Sequence, residues 1–334
     1  MSTPSSAIEE EILKLKEQRN AVIIAHNYQR GVVQDIADFT GDSLELSQKA
    51  STVDCDVIVF CGVDFMAESA SILSPEKTVL LSEVGATCPM AAMVRAESPR
   101  DFRKNFPGYE DKPSLVYPRE YSIKDIKRDH PGAPVVAYVN TTAEVKAAVD
   151  ICCTSANLID VVNSLPEEKI ICVPDKNLSA WAAKNTSKQI ISWDGFCHVH
   201  DRIQAKDVEA ARSAHPKAML MAHPECRPEV LDMADHVTST SGMLRFATAS
   251  DHDEFIVGTE VGLMYRLNKE NPGKTFHALR GDMICPNMKK TTPESVLRSL
   301  KEMQNVIKVP EDIRIPAKRS LDRMLEITVP ATGK

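Results

Sequence analysis

The stretch Val22-Ile23-Ile24-Ala25-His26-Asn27-Tyr28 decides the fold: four apolar residues, three of them β-branched, run without a break into a polar cluster. An uninterrupted apolar run of this length reads as a strand buried on both faces, as in parallel sheets, with reactive side chains at its C-terminal end. The pattern returns twice. Residues 135–137 lead into Tyr138-Val139-Asn140, and residues 218–222 lead into His223-Pro224-Glu225.

With His26, Tyr138 and His223 taken as equivalent anchors, the seventeenth residue beyond each is a hydroxyl: Ser43, Ser155 and Thr240. Helix-like stretches separate anchor from hydroxyl, as at 143–153, where Val145, Ala148, Val149 and Cys152 recur at helical spacing. A second strand follows each hydroxyl, at 57–60, 170–173 and 255–257, and a third ends at Cys88, Cys197 and Cys285. Strand, helix, strand, helix, strand, three times over, predicts an α/β protein of three αβα sandwich units with small parallel sheets. Ligands gather beyond the carboxyl ends of such strands. Pseudo-threefold packing with those ends inward places anchors, hydroxyls and cysteines around one central active-site cavity.

The three units are expected at 1–95, 120–203 and 204–289. Between the first two, residues 96–119 hold Pro99, Pro107, Gly108, Pro113 and Pro118 and read as a surface connector insertion. Helices are expected before the first strands, at 7–18, 123–128 and 205–213. Residues 290–334 hold a C-terminal helix, at 293–304, expected to pack back on the first unit, and then a tail. The chain ends, before about residue 6 and beyond about 329, read as loose.

At 334 residues, 43% apolar and 26% charged, the chain has the length and composition of a globular protein of two or three domains. A net charge of −7 with dispersed Lys and Arg argues against a nucleic-acid partner but leaves a small anion open. The first residues lack a secretory pattern, and apolar runs such as 57–63 fall short of the ~20 residues that cross a bilayer. No membrane partner and a cytoplasmic location are therefore expected. Nine cysteines in a reducing compartment point to packing, metal binding or catalysis rather than disulfides.

Cys55, Cys61, Cys152, Cys153 and Cys172 read as small buried hydrophobes. Cys88, Cys197 and Cys285 differ, because they recur at equivalent places in three repeats, beside Pro89, Gly195 and Pro286. No C-x-x-C pair exists, so compact zinc-ribbon and ferredoxin spacings are absent. Three converging thiolates suit a 4Fe-4S cluster better than a single zinc, and leave one iron open as a Lewis acid. His26 and His223, each ordinarily a structural histidine, gain a functional reading from their equivalent placement. Glu225 reads as a general base, or else as a negative charge at the start of the helix opened by Arg227-Pro228-Glu229. Cys226 beside it reads as site lining rather than a ligand. Ser43, Ser155 and Thr240 read equally as helix N-caps and as donors to a phosphate or carboxylate, and Asp42 with Glu45 forms a capping-box pair. Gly258-Thr259-Glu260 and Asp175-Lys176-Asn177 read as polar lining or inter-repeat ion pairs.

The strings A-H-N-Y-Q (25–29), G-D-S-L (41–44), Y-V-N-T-T (138–142), C-T-S-A-N (153–157), P-D-K-N-L (174–178), G-F-C-H-V-H (195–200), H-P-E-C (223–226) and C-P-N-M-K (285–289) together resemble the quinolinate synthase family, across about 13–306. The resemblance implies condensation of iminoaspartate with dihydroxyacetone phosphate to quinolinate, phosphate and water in NAD biosynthesis. It implies a 4Fe-4S cluster on Cys88, Cys197 and Cys285, and substrate contacts at His26, Ser43, Tyr138, Asn140, Ser155, His223, Glu225 and Thr240. Proton transfer falls to Glu225, Tyr28, His26, His223 and His200, with Tyr28 and His200 tied to ring closure and gating of the site. It further implies coupling to L-aspartate oxidase or aspartate dehydrogenase as the imine source, in a monomer or homodimer. The 96–119 connector is longer than the family's compact pattern. One rival is a zinc hydrolase built on Cys197, His198, His200, His223 and Glu225, which zinc without iron or sulfide would mark. The other is a non-catalytic anion-binding protein, marked by tight binding without turnover.

Overall fold

A computed structural model describes residues 4–97 and 121–327. The expected connector, apart from residues 96 and 97, lies outside the described residues, as do the chain ends 1–3 and 328–334. Two compact units are present, Met1–Cys88 with Cys197–Lys308 and Pro89–Phe196 with Val309–Lys334. The first unit holds two sheets and the second holds one.

In the first sheet β1 (Ala21–His26), β2 (Phe39–Gly41), β3 (Val57–Cys61) and β4 (Thr78–Leu81) lie in the order β2-β1-β3-β4. The second repeats that order with β5 (Val135–Tyr138), β6 (Ile151–Cys153), β7 (Lys169–Val173) and β8 (Gln189–Ser192), and the third with β9 (Met219–Ala222), β10 (His236–Val237), β11 (Glu254–Gly258) and β12 (Thr275–Ala278). Every pairing in the three sheets is parallel. The central strands are buried because helices cover both faces, which is why Val57-Ile58-Val59-Phe60-Cys61 carries no polar alternation. The three αβα units expected from the repeat are present.

Each sheet has one strand more than expected, the short edge strands β2, β6 and β10. The helix expected through residue 153 stops at Ala148, because Val149 turns extended and Ile151-Cys152-Cys153 pair with Val136-Ala137-Tyr138. One aspartate device starts all three edge strands. Asp38, Asp150 and Asp235 each accept the backbone N–H of a residue fifteen positions earlier, Ile23, Val135 and Leu220, at 2.8 Å. Each returns its own N–H to the same residue's carbonyl, at 2.9, 3.1 and 2.9 Å. The chain is thereby stitched to the central strand where a helix would otherwise continue. A second recurring device ends the following helices: Lys77, Lys188 and Lys274 donate to the carbonyls of Ala50, Leu165 and Ala247 at 3.1, 2.7 and 2.6 Å. An ammonium at a helix C-terminus satisfies orphan carbonyls and opposes the dipole.

Two placements differ from expectation by a few residues. The last strands end at Leu81, Ser192 and Ala278, so the three cysteines stand on the loops beyond them. The N-caps are Asp42, Asn157 and Ser239, not Ser43, Ser155 and Thr240; Ser43 and Thr240 are the first residues inside their helices. The Asp42–Glu45 capping box is present in full.

In the first unit the helix Pro293–Glu302 packs on Pro4–Gln18, with Val296 and Leu300 in one core with Ile12, Ile23 and Val59. In the second unit Glu311–Glu326 forms a helix against Ala143–Ala148 and β6, burying Ala317, Leu321 and Met324. Leu321→Ala should therefore destabilise the protein by about 2–5 kcal/mol in urea unfolding. Ile315→Ala, on the exposed side of that helix at 43% exposure, should cost far less. Equal losses would mean the helix does not pack by this face. No helix among the described residues is long and apolar enough to cross a membrane.

Candidate active site

The cysteine loops are pinned in the same way three times. The carbonyl two residues before each cysteine, on Ala86, Gly195 and Met283, accepts the N–H of Asp64, Lys176 and Val261, at 2.9, 2.7 and 2.9 Å. Each donor lies just past the third strand of its own repeat, β3, β7 or β11. Acidic side chains add to this, since Asp64 accepts the Cys88 N–H at 3.2 Å and Glu260 accepts that of Cys285 at 3.0 Å. Glu260 is fully buried and paired with Lys289 at 2.9 Å, within its own repeat. Asp175 instead caps the helix Lys176–Asn185.

All nine cysteines are free thiols. Cys55, Cys61, Cys152, Cys153, Cys172 and Cys226 are buried, whereas Cys88, Cys197 and Cys285 are partly exposed. Burial pushes Cys61 and Cys172 up to about 12, so these are inert thiols. Burial and then the Glu225 carboxylate push Cys197 well up too, and burial raises Cys285. Holding thiolates here calls for a bound cation. Three partly exposed thiols on loops pinned in the same way are a donor set that suits an iron-sulfur group.

Cys197 also heads a continuous polar chain. His200 Nδ1 lies 3.2 Å from Cys197 Sγ and 3.0 Å from Glu225 Oε2, and its Nε2 lies 2.9 Å from Thr259 Oγ1. Thr259 Oγ1 in turn lies 2.7 Å from the Tyr28 hydroxyl. His223 stacks on His200 with centroids 4.8 Å apart and places Nδ1 3.2 Å from Glu225 Oε2. Burial alone would raise the Glu225 carboxyl, but His200 and His223 outweigh it and hold the group well below the usual carboxylate range. Tyr28 is pushed well above a normal phenol, first by burial and then by Glu225. A carboxylate and a protonated phenol thus stand at opposite ends of one hydrogen-bonded path. His26 Nδ1 accepts the Tyr28 N–H at 3.1 Å, which leaves the ring proton on Nε2. Burial, then His223, lowers its pKa to about 3 and keeps it neutral. Gly262 allows the third repeat to approach, since a Cβ there would lie 2.5 Å from the Tyr28 carbonyl.

The helices Ser43–Thr52 and Thr240–Ala249 meet at their N-termini through Ser239, which donates to Asp42 at 2.9 Å. Asn27 donates to Thr240 Oγ1 at 3.0 Å, and Arg266 donates to the side-chain Oδ1 of Asn27 at 2.8 Å. Asp42 also accepts the N–H groups of Leu44 and Glu45, and Ser43 and Thr240 are the first residues of the two helices at this junction. In the second unit Tyr138 ends β5, Asn140 follows it with a buried Oδ1 that has no hydrogen-bond partner among the described residues, and Ser155 lies in the turn after β6. Thr259, Asn27, Arg266 and Lys289 complete the site, and all but Arg266 fall inside stretches singled out from sequence. Asn27 carried a signal in its place between His26 and Tyr28. Arg266 carried none, being one basic residue on an amphipathic helix.

Residues 10–326 match the family described as quinolinate synthetase A protein. The chain is 56% identical over 322 residues to a quinolinate synthase of Thermodesulfovibrio yellowstonii, covering 95% of this chain and 97% of that one. It is 53% identical over 323 residues to one from Methanoregula boonei, covering 97% and 99%, and 49% identical over 323 residues to one from Geobacter metallireducens, covering 97% and 98%. With three equivalently held cysteines and this match along nearly its whole length, the chain belongs to the quinolinate synthetase A protein family.

Proposed function

We propose that the protein condenses iminoaspartate with dihydroxyacetone phosphate to form quinolinate, phosphate and water, using a 4Fe-4S cluster held by Cys88, Cys197 and Cys285. The observation that carries this reading is the threefold equivalence of the cysteine loops, three partly exposed thiols against six buried ones. Bound there, the cluster supplies an open Lewis-acidic iron.

The remaining chemistry belongs to the chain. Ring closure requires protons to be taken from carbon and given to departing oxygens. Glu225, held ionised by two imidazoles, is the base, and His200 and Thr259 connect it to Tyr28, whose retained proton makes it the acid. Neutral His26 and His223 orient the substrate by hydrogen bonds. Ser43 and Thr240 hold the phosphate or its oxyanion. By the same family resemblance Tyr138, Asn140 and Ser155 are assigned to substrate binding, and Asn140 Oδ1, buried with no partner among the described residues, supports a ligand contact there.

Protein purified without oxygen should be brown, and on exposure to air it should lose colour and quinolinate formation together. A colourless protein with full activity would sink the cluster assignment. The Cys197–His200–Glu225 group, with ligand atoms within 4.8 Å of one another, favours a second reading, a single-zinc hydrolytic site. Metal analysis separates the two: zinc without iron or sulfide supports the hydrolase, which leaves Cys88 and Cys285 with no role.

A further inference from the structure

A second cluster of metal-ligating side chains lies on the third sheet, away from the cysteine loops. His215 caps the C-terminus of Ala205–Ala214, Glu254 opens β11, and His277 lies on β12, the edge strand of that sheet. The ligand atoms of all three lie within 4.8 Å of one another. Both imidazoles aim a nitrogen at one carboxylate oxygen: His277 Nε2 is 3.0 Å and His215 Nδ1 3.5 Å from Glu254 Oε1. The rings stack at a centroid distance of 3.5 Å and 15° between planes. Their side chains are 33%, 34% and 26% exposed in chain order, so an ion and its remaining water ligands can reach them.

The nitrogen–oxygen spacing suits one metal ion once the stacked rings turn about their side-chain torsions to face it with their in-plane lone pairs. Imidazole and carboxylate ligands at ~2.0–2.1 Å from a tetrahedral zinc lie about 3.3–3.4 Å apart, between the two observed separations. A divalent ion binds imidazoles in their neutral form and a carboxylate in its ionised form. Two imidazoles and one carboxylate favour zinc-like transition ions over calcium or magnesium, which prefer all-oxygen ligands.

We propose that His215, Glu254 and His277 form a second metal site, for a divalent ion of the zinc type completed by water. It clamps the end of one helix to β11 and to the edge strand β12. Since β12 leads into the loop bearing Cys285, the bound ion stiffens the root of that loop while taking no part in the reaction.

The test uses anaerobically purified protein with its cluster in place, titrated with Zn²⁺ against a chromophoric chelator, and with Co²⁺ followed by visible absorption. One equivalent of Zn²⁺ should bind, the thermal midpoint should rise, and Co²⁺ should give d–d bands. In H215A and in H277A the affinity should fall at least tenfold and the thermal shift should vanish, while quinolinate formation stays at the wild-type level and shows that the fold is intact. Failure of the wild type to bind one equivalent overturns the proposal. So does binding that survives in both histidine variants, or that disappears in E225Q instead, which would place the ion on Cys197, His200 and Glu225.

Discussion

Serine at Cys88, Cys197 or Cys285, introduced one at a time, is expected to abolish both the intact 4Fe-4S cluster and quinolinate formation. Serine at Cys55, Cys61, Cys152, Cys153 or Cys172 should preserve both. All nine thiols are chemically alike, so only their placement separates the groups. The three stand on loops pinned by the same backbone hydrogen bond, to Ala86, Gly195 and Met283, and are the partly exposed members of the set. With two thiolates left the cluster is no longer held firmly, and the loss should exceed the about 10–100-fold that removal of an outer-shell partner costs. In the second group a buried thiol becomes a poorly paired hydroxyl, at a cost of about 1–3 kcal/mol in unfolding and no loss of colour. Cys226 should keep the cluster but alter turnover, because it adjoins Glu225. Iron and sulfide analysis with the visible spectrum decides the matter. A dispensable member of the three, or an indispensable one among the others, breaks the equivalence of the repeats.

That equivalence was legible because it rests on strong local signals. Apolar runs ending in His26, Tyr138 and His223, and cysteines beside Pro or Gly, survive in one-dimensional spacing. The aspartates Asp38, Asp150 and Asp235 stand at equal distances from the same anchors, yet each reads alone as an ordinary surface carboxylate. Their meaning lies in a reciprocal bond to the strand fifteen residues back, which only the folded register creates. The edge strand 151–153 was hidden for a related reason. Val145, Ala148, Val149 and Cys152 satisfy helical spacing, and a three-residue strand has no periodicity of its own with which to compete. In Glu311–Glu326 the apolar face recurs at Ala317, Leu321 and Met324, but Pro316 inside the helix reads as a breaker. The N-caps were displaced by one residue at Ser43 and Thr240 because neighbouring Asp42 and Ser239 have equal or better capping chemistry.

Within the site, the carboxylate and histidines were legible as residue types, and the path joining them was not. Thr259 lies 34 residues beyond Glu225 in sequence, on the turn after β11, yet its hydroxyl bridges His200 and Tyr28. Lys289 joins the loops in the same non-local way, donating to the Tyr28 carbonyl and pairing with Glu260. A side chain whose partners come from three separate segments leaves no trace in spacing.

Glu225→Gln is expected to keep the brown colour and to lose quinolinate formation by about 10²–10⁴-fold, the range for removal of a positioned general base. Gln preserves the shape and can still hydrogen-bond His200 and His223, so the cysteine loops and the fold stay in place. The loss should appear in kcat and kcat/KM together, since a base acts in the transition state, rather than in KM alone. The pH behaviour follows from the direction of each shift. Glu225 lies below its ordinary 4.5 in the folded protein, so its ionised form contributes stability that is present above that pH and drains away as pH falls further. His26 is lowered from 6.5 to about 3, so between those values the unfolded chain takes up a proton that the folded one refuses, and stability falls as pH falls. Wild type should therefore weaken in two stages on acidification, from about pH 6.5 through His26 and again below 4.5 through Glu225. The Gln variant should lose the second stage and retain the first. Turnover at the wild-type level in that variant, with the acid profile changed as described, would reduce Glu225 to an anchor for the two histidines and move the base elsewhere along the path to Tyr28.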